Sequence, residues 1–330
     1  MRTTIELEMN GKKVGADLRK YLKSLSYREA LDGEADTLEV TLHDIEGLFM
    51  ADWFPERGMS LGASLSTEYE RTDLGNFYID EIENSYPPSE CKIKATSIPP
   101  TSNVKAAEKW RSWENATLST IAGDVASNAG LSLFYGASYN PTLDRVEQSD
   151  ESDLKFLHRL CNDNGLALKL NDERLIIFDI EEYEGASSTD SFTKGEARIK
   201  RFSMRSTLNE IYSDCQVNYD SGNEKIPYSG LIGGALGSLT SKKGGGKTLK
   251  INKRVSSVGD AQRLAQKKLK EKNRKETTLQ LTVVGSLGLR AGATFELKEF
   301  HAFNGKYLIQ KATHTVNGSG YVTSIEATKC

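Results

Sequence analysis

Four histidines are the first candidates for chemistry, and they stand far apart at His43, His158, His301 and His314. A zinc-binding helix needs two histidines one turn apart, as in His-Glu-x-x-His, and no pair here has that spacing. Cys91, Cys161, Cys215 and Cys330 form no Cys-x-x-Cys pair, so neither a zinc site nor a disulfide framework is predicted. Nucleophilic acyl transfer would need a Gly-x-Ser-x-Gly elbow or a cysteine–histidine constellation, and neither occurs. Paired carboxylates can cut a glycan such as peptidoglycan, but no pair separates itself from the 46 acidic residues of the chain. Gly246-Lys247-Thr248 has the ending of a phosphate-binding loop. The glycine required five residues before Gly246 is Ser241, and nucleotide binding is rejected. Trp110 and Trp113 offer stacking area for a sugar, although such residues more often pin a loop to a core. No catalytic, cofactor-binding or metal-ligating residue is predicted.

With no constellation to position, the elements themselves carry the information. The most legible stretch runs from Gln148 to Asp179. Ser149, Asp150, Ser152 and Asp153 can each cap a first helical turn, and carboxylates suit the positive end of the dipole. Leu154, Leu157 and Cys161 fall at i, i+3 and i+7 beside Phe156 and Leu160. A helix with one apolar face is predicted over 149–164, with Lys155, His158, Arg159 and Asp163 turned outwards. Gly165 ends it, and the runs 166–170 and 175–178 around Asn171-Asp172 read as a hairpin. A similar helix over 117–130 places Leu118, Ile121, Ala122 and Val125 on one face and ends in Gly130-Leu131. Helix, Gly-Leu, strand thus occurs twice, either as a faint internal repeat or as two uses of one cap.

On either side the chain alternates as β-strands do. Residues 1–98 give about six strands with one small helical insertion near 46–53, which suits a compact barrel or sandwich. Residues 99–185 form the mixed helix–hairpin unit. Residues 186–330 return to β character, interrupted by a glycine-rich loop at 221–247 and a basic helix at 258–273. Ser257 and Asp260 supply the cap signal of that helix, and Ala261, Leu264, Ala265, Lys268 and Leu269 run along one face. No apolar run approaches the ~20 residues needed to cross a bilayer. The start, Met1-Arg2-Thr3-Thr4-Ile5-Glu6, lacks the apolar core of a signal peptide, so folding in the cytoplasm is expected.

Net charge is only −3, but it is unevenly spread. Fifteen acidic residues face two basic ones between Glu29 and Glu83, and thirteen basic face three acidic between Lys242 and Glu276. The basic end is read as a polyanion site or as a solvated helix and loop.

The order of residues along the chain is more specific than any single motif. Ser152-Asp153, Phe156-Leu157, Arg159-Leu160 and Gly165-Leu166 resemble a segment shared by phage late control protein D, the baseplate hub family of contractile tails, which is similar to the front part of type VI secretion spike proteins. Leu289-Arg290-Ala291-Gly292-Ala293-Thr294-Phe295, Phe303 to Ile309, His314 and Gly320-Tyr321-Val322-Thr323 resemble the closing barrel of the same family. With Trp113-Glu114 to Gly130-Leu131, the likeness touches most of 105–330. It implies a mostly β chain with α+β elements, two tail-tube-like barrels and a mixed domain between them. It implies a structural hub and not an enzyme, a homotrimer that joins a six-fold tail tube to a three-fold spike. Implied partners are the tube protein, a separate spike polypeptide, and baseplate wedge or LysM-like tail proteins. DNA would pass transiently through the lumen, for which the acidic run at 29–83 is a candidate wall. A carbohydrate-binding or peptidoglycan-degrading tail-tip protein is the alternative. A secretion spike would carry a long β-helical extension, and the chain ends at Cys330.

Overall fold

A computed structural model describes residues 3–10, 12–13, 20–100, 108–171, 173–209, 211–218, 247–252 and 258–330. The predicted glycine-rich loop, except Lys247, lies outside the described residues, as does Ser257 of the predicted cap.

The first unit follows from strict alternation. Strands β1 (Thr4–Met9), β2 (Lys12–Lys13), β3 (Leu22–Ala30), β4 (Thr37–His43), β5 (Ser60–Ser66), β6 (Arg71–Ser85) and β7 (Glu90–Thr96) pair in the order β3-β4-β7-β6-β5-β1-β2. Successive side chains on a strand point to opposite faces, so Leu38, Val40 and Leu42 of β4 reach one core with Leu25, Tyr27, Phe77 and Ile93. The helical insertion is a single 3₁₀ turn, Leu48–Met50, which seats Phe49 in that core.

The mixed unit is two strand–helix–strand passes. Strand β8 (Glu108–Thr117) leads to α1 (Leu118–Asn128) and β9 (Ser132–Tyr135). Strand β10 (Thr142–Ser152) leads to α2 (Asp153–Asp163), β11 (Ala167–Asn171) and β12 (Arg174–Phe178). Both helices are shorter than predicted because their capping stretches are strands: β8 and β10 pair antiparallel. Both end with a glycine at positive φ, Gly130 and Gly165, followed by a leucine N–H bonded to the carbonyl five residues back. Phe156, Leu157, Leu160 and Cys161 are buried as predicted, against Ile121, Val125, Leu175 and Ile177. A short helix, α3 (Ile180–Gly185), leads out.

The last unit contains β13 (Asp190–Thr193), β14 (Ile199–Ser206), β15 (Asp214–Asn218), β16 (Thr248–Asn252), α4 (Val258–Asn273), β17 (Thr277–Val284), β18 (Thr294–Lys298), β19 (Gly305–Asn317) and β20 (Gly320–Lys329). The basic helix α4 does not pack on the main sheet; Leu264 and Leu269 pack on Cys215 and Val217 of the separate parallel pair β15–β16. Val283 is not on a sheet edge but pairs with both Ile199 and Thr323.

One further pairing organises the whole. Strand β19 pairs antiparallel with β3 from Lys311↔Ala30 to Asn317↔Ser24, so first and last units share one 13-stranded sheet. Its path, from β14 at one end to β2 at the other, closes no barrel among the described residues. In the last unit, the open seam between β13 and β14 is bridged by Arg198, which ion-pairs with Asp190 at 2.9 Å and lies over the Phe192 ring.

Candidate functional site: a repeated sheet

The chemistry candidates do not converge. Among the described residues, no cluster of three His, Cys, Asp or Glu is placed to hold a metal ion. His314 is 2% exposed in β19, with Nδ1 2.7 Å from the Tyr321 hydroxyl and its ring stacked on Tyr27. Burial, assisted by the Arg290 cation, pushes its pKa down to about 4. His158 lies 3.7 Å from Asp32, whose hydrogen bond and charge raise its pKa. Cys91, Cys161 and Cys215 are buried thiols with raised pKa, the state of inert core residues. Lys247 and Thr248 enter strand β16, and the Lys247 carbonyl accepts from Ser213 N–H.

The two tryptophans stand on opposite faces of β8. Trp113 stacks on Phe156 at 5.3 Å and donates to Asp124, whereas Trp110 is 75% exposed. They form no joint platform. Nor is the Lys/Arg face of α4 wholly solvated: Lys270 and Lys272 are exposed, but Lys267 donates to both oxygens of Asp179 and pairs with Glu181, and Arg263 donates to the Asn164 carbonyl and covers the Tyr139 ring. That face docks the helix on the mixed unit. The most buried carboxylate among the described residues was not foreseen. Asp153, fully buried at the start of α2, accepts from Lys109, Arg111 and Gln148. Its partners come from β8 and β10, which no local pattern connects to it.

The acidic run at 29–83 forms no uniform acidic surface. Glu29, Asp36 and Asp44 are buried; Glu29 accepts from Ala291 N–H across the β3–β19 joint, and Asp36 pairs with Lys169. Others answer cations on neighbouring strands, Glu39 with Lys92 at 3.0 Å and Glu81 with Lys94 at 2.9 Å. The sheet face turned away from the cores is therefore polar and charge-mixed.

The geometry that stands out is a repeat. Strand order in the first unit is β3-β4-β7-β6-β5-β1, and in the last it is β14-β17-β20-β19-β18-β13. Numbered within each unit, these are the same order. All pairings match in direction except the last, antiparallel for β1–β5 and parallel for β13–β18. The registers match too. Thr37 faces Thr96 as Thr278 faces Thr328, and Ile79 faces Ala95 as Ile309 faces Ala327. A register shift follows Ile79 and Ile309 alike, and a second follows Leu22 and Ile199 alike.

Once aligned by register, the residues themselves agree. Thr37-Leu38-Glu39-Val40-Thr41-Leu42 stands against Thr278-Leu279-Gln280-Leu281-Thr282-Val283, and Ile93-Lys94-Ala95-Thr96 against Ile325-Glu326-Ala327-Thr328. Gly75-Asn76-Phe77-Tyr78-Ile79 stands against Gly305-Lys306-Tyr307-Leu308-Ile309. Gly58 and Gly292, both near φ +87° (85° and 89°), each donate N–H to the isoleucine carbonyl of that motif. An L side chain is strained at such φ, which explains glycine at both sites.

Comparison with known proteins agrees with this architecture. The family model for the phage tail baseplate hub (GPD) matches residues 78–320. The chain belongs to that family. It is 28% identical over 165 residues to the probable baseplate hub protein of Escherichia phage P2, covering 48% of this chain and 41% of that protein. The aligned stretch thus spans less than half of that relative. Solved structures share the fold, two of them as follows. The tail protein from Neisseria meningitidis MC58 superposes with a TM-score of 0.74 at 13% identity, covering 100% of this chain and 97% of the other. An E. coli component of the type VI secretion system, described as similar to T4 tail proteins gp27 and gp5, gives 0.59 at 14% identity over 98% of this chain and 76% of that one. The chain is thus a mostly β member of the phage tail baseplate hub family, and its fold is shared by a component of a secretion system.

Proposed function

We propose that three copies of this hub form a ring that adapts a six-fold tail tube to a three-fold spike. The observation that carries this reading is the repeat. Two units of one strand order and register in each chain give six equivalent units from three chains, while the mixed unit occurs only three times. One end of such a ring matches a hexameric tube, and the other matches a trimeric partner. In this reading 1–98 and 186–330 are tube-like barrels, completed by neighbouring strands, and 99–185 is the domain between them. The polar, charge-mixed sheet face lines the lumen, where balanced charge gives passing DNA no adhesive surface. Tube protein, a separate spike and peripheral baseplate proteins are the partners, and assembly takes place in the bacterial cytoplasm.

Imaging of tail particles without imposed symmetry tests this. Three copies at the hub level are expected. Six copies, or a hub lacking this chain, refutes the adaptor.

A further inference from the structure

The repeat makes a prediction about where copies meet. Within one chain, β19 runs past the end of β18, and its freed edge beyond Gln310 is taken by β3 of the first unit. By register, the strand of the first unit equivalent to β19 is β6, which likewise runs past β5: β5 pairs with Arg71–Tyr78 only. The strand of the last unit equivalent to β3 is β14, which pairs with β17 alone among the described residues. Among the described residues, each chain therefore has one such joint filled and the two halves of a second joint left open.

We propose that β6 of one hub copy pairs antiparallel with β14 of the next, repeating in trans the β19–β3 joint. This names the contact within the three-copy reading above and rests on it. The register follows from the repeat. Thr313 faces Arg28 in the filled joint, and the equivalent residues are Glu83 and Arg205; His314 faces Tyr27, and their equivalents are Asn84 and Met204. Glu83 is thus set opposite Arg205, and Ser85 opposite Ser203.

Three further observations favour a second copy as the occupant. Residues 80, 81 and 83–85 and residues 200–203, 205 and 206 are exposed. The charges are complementary: Asp80 and Glu83 stand on one edge, beside Glu81 already paired with Lys94, and Lys200, Arg201 and Arg205 on the other, with Glu83 and Arg205 the pair that the register opposes. Positions that the filled joint buries or half-buries are more exposed in the open one. Leu25 is 0% exposed, whereas its equivalent Phe202 is 42% exposed; Tyr86, equivalent to Val316, is 85% exposed. The joint is head-to-tail, the kind of contact that closes into a ring when its rotation allows.

Cysteine cross-linking reads the register directly, because directly opposed strand residues have Cβ atoms about 4.5–5.5 Å apart, near disulfide reach. Full-length Cys330→Ser hub carrying Glu83→Cys and Arg205→Cys is assembled into tail particles and oxidised. Most chains are expected in covalent species ending at the trimer. A control with Glu83→Cys and Arg201→Cys, four residues out of register, is expected to remain at least tenfold less linked. Both pairs lie on exposed strand positions, and unchanged melting temperatures establish that the variants fold. Trimeric particles that do not link, equal linking in the control, or a ladder running past three overturns the joint. Loss of the linked species together with a hub that is not three-fold overturns the adaptor reading itself.

Discussion

The β3–β19 joint has a built-in acid sensitivity that can be worked from His314. Its ring lies 5.9 Å from that of Tyr27, in the core of the joint, beside Tyr321 and Thr323 hydroxyls. Burial is the largest cause of its low pKa, with Arg290 adding to it, and the result is about 4, against about 6.5 in an unfolded chain. Above pH 6.5 the imidazole is neutral in both states and costs nothing. As pH falls from 6.5 towards 4, the unfolded chain takes a proton that the folded chain refuses, so folding stability drops. Between pH 7 and pH 5 the loss is roughly 2 kcal/mol from this group alone. His158 acts in the opposite sense: its pKa is raised by Asp32, so its contribution is present at low pH and lost as pH rises. Comparing wild type with His314→Gln at both pH values cancels His158 and the carboxylates. Urea unfolding followed by fluorescence should show the wild type losing about 2 kcal/mol more than the variant over this interval. The variant should be the less stable of the two at pH 7, since it loses the stacked ring. Equal pH slopes in the two proteins would falsify the argument that His314 is held neutral by burial. Particles carrying the variant should remain functional at neutral pH, as no chemistry is assigned to the ring.

Two other perturbations separate packing from assembly. Leu264→Ala should lower stability by about 2–5 kcal/mol. Lys267→Ala should also lower the melting temperature, since Lys267 is mostly buried against Asp179 and Glu181; a silent Lys267→Ala would mean that α4 does not dock on the mixed unit through this face. Glu83→Arg and Arg205→Glu should each reduce the yield of assembled hub while leaving the melting temperature of the isolated chain unchanged. The two together should restore assembly, and failure of the double variant where each single fails would remove the charge pairing from the joint.

Much of this fold was legible because strands and helices announce themselves by period. Alternation marked residues 1–98 as strands, and the apolar stripe of α2 identified its core face from sequence alone. What stayed hidden depends on distant partners. Asp153 reads as a solvated cap until Lys109 and Arg111, more than forty residues away, are brought to it. Lys267 reads as an outward lysine until Gly165 packs against its Cβ; a Cβ on that glycine would sit 2.8 Å from it. The tryptophan pair was misleading for a local reason: a spacing of three puts side chains on opposite faces once residues 108–117 are a strand. The repeat was within reach, as the string Gly-x-aromatic-x-Ile occurs at Gly75 and again at Gly305, each after a Gly-x-Ser/Thr run at Gly58 and Gly292. The family resemblance implied two like barrels, but the unrelated mixed unit between the copies and their low identity concealed the strings that match.

The repeat also explains why its two joints differ in composition. The joint filled within the chain is lined by Leu25, Tyr27, His314 and Val316 and needs no protection, since its edges are never free of each other. The open edges must survive in a free chain, where a bare β-strand is a template for aggregation. Glutamates along β6 and arginines along β14 blunt that hazard in the free chain, because each edge repels a copy of itself. The same charges attract the one edge of opposite sign, which steers the encounter and rejects other registers. On this argument the unit sequences diverged most where one joint is made in folding and the other in assembly. The core strings of β4 and β17, which serve the same role in both units, remained nearly the same. A hub altered to carry Leu25 and Tyr27 at the equivalent positions Phe202 and Met204, with Arg201 and Arg205 replaced by serine, should therefore aggregate before it assembles. Soluble, particle-competent protein from that variant would show that the charges on β14 do not serve as edge protection.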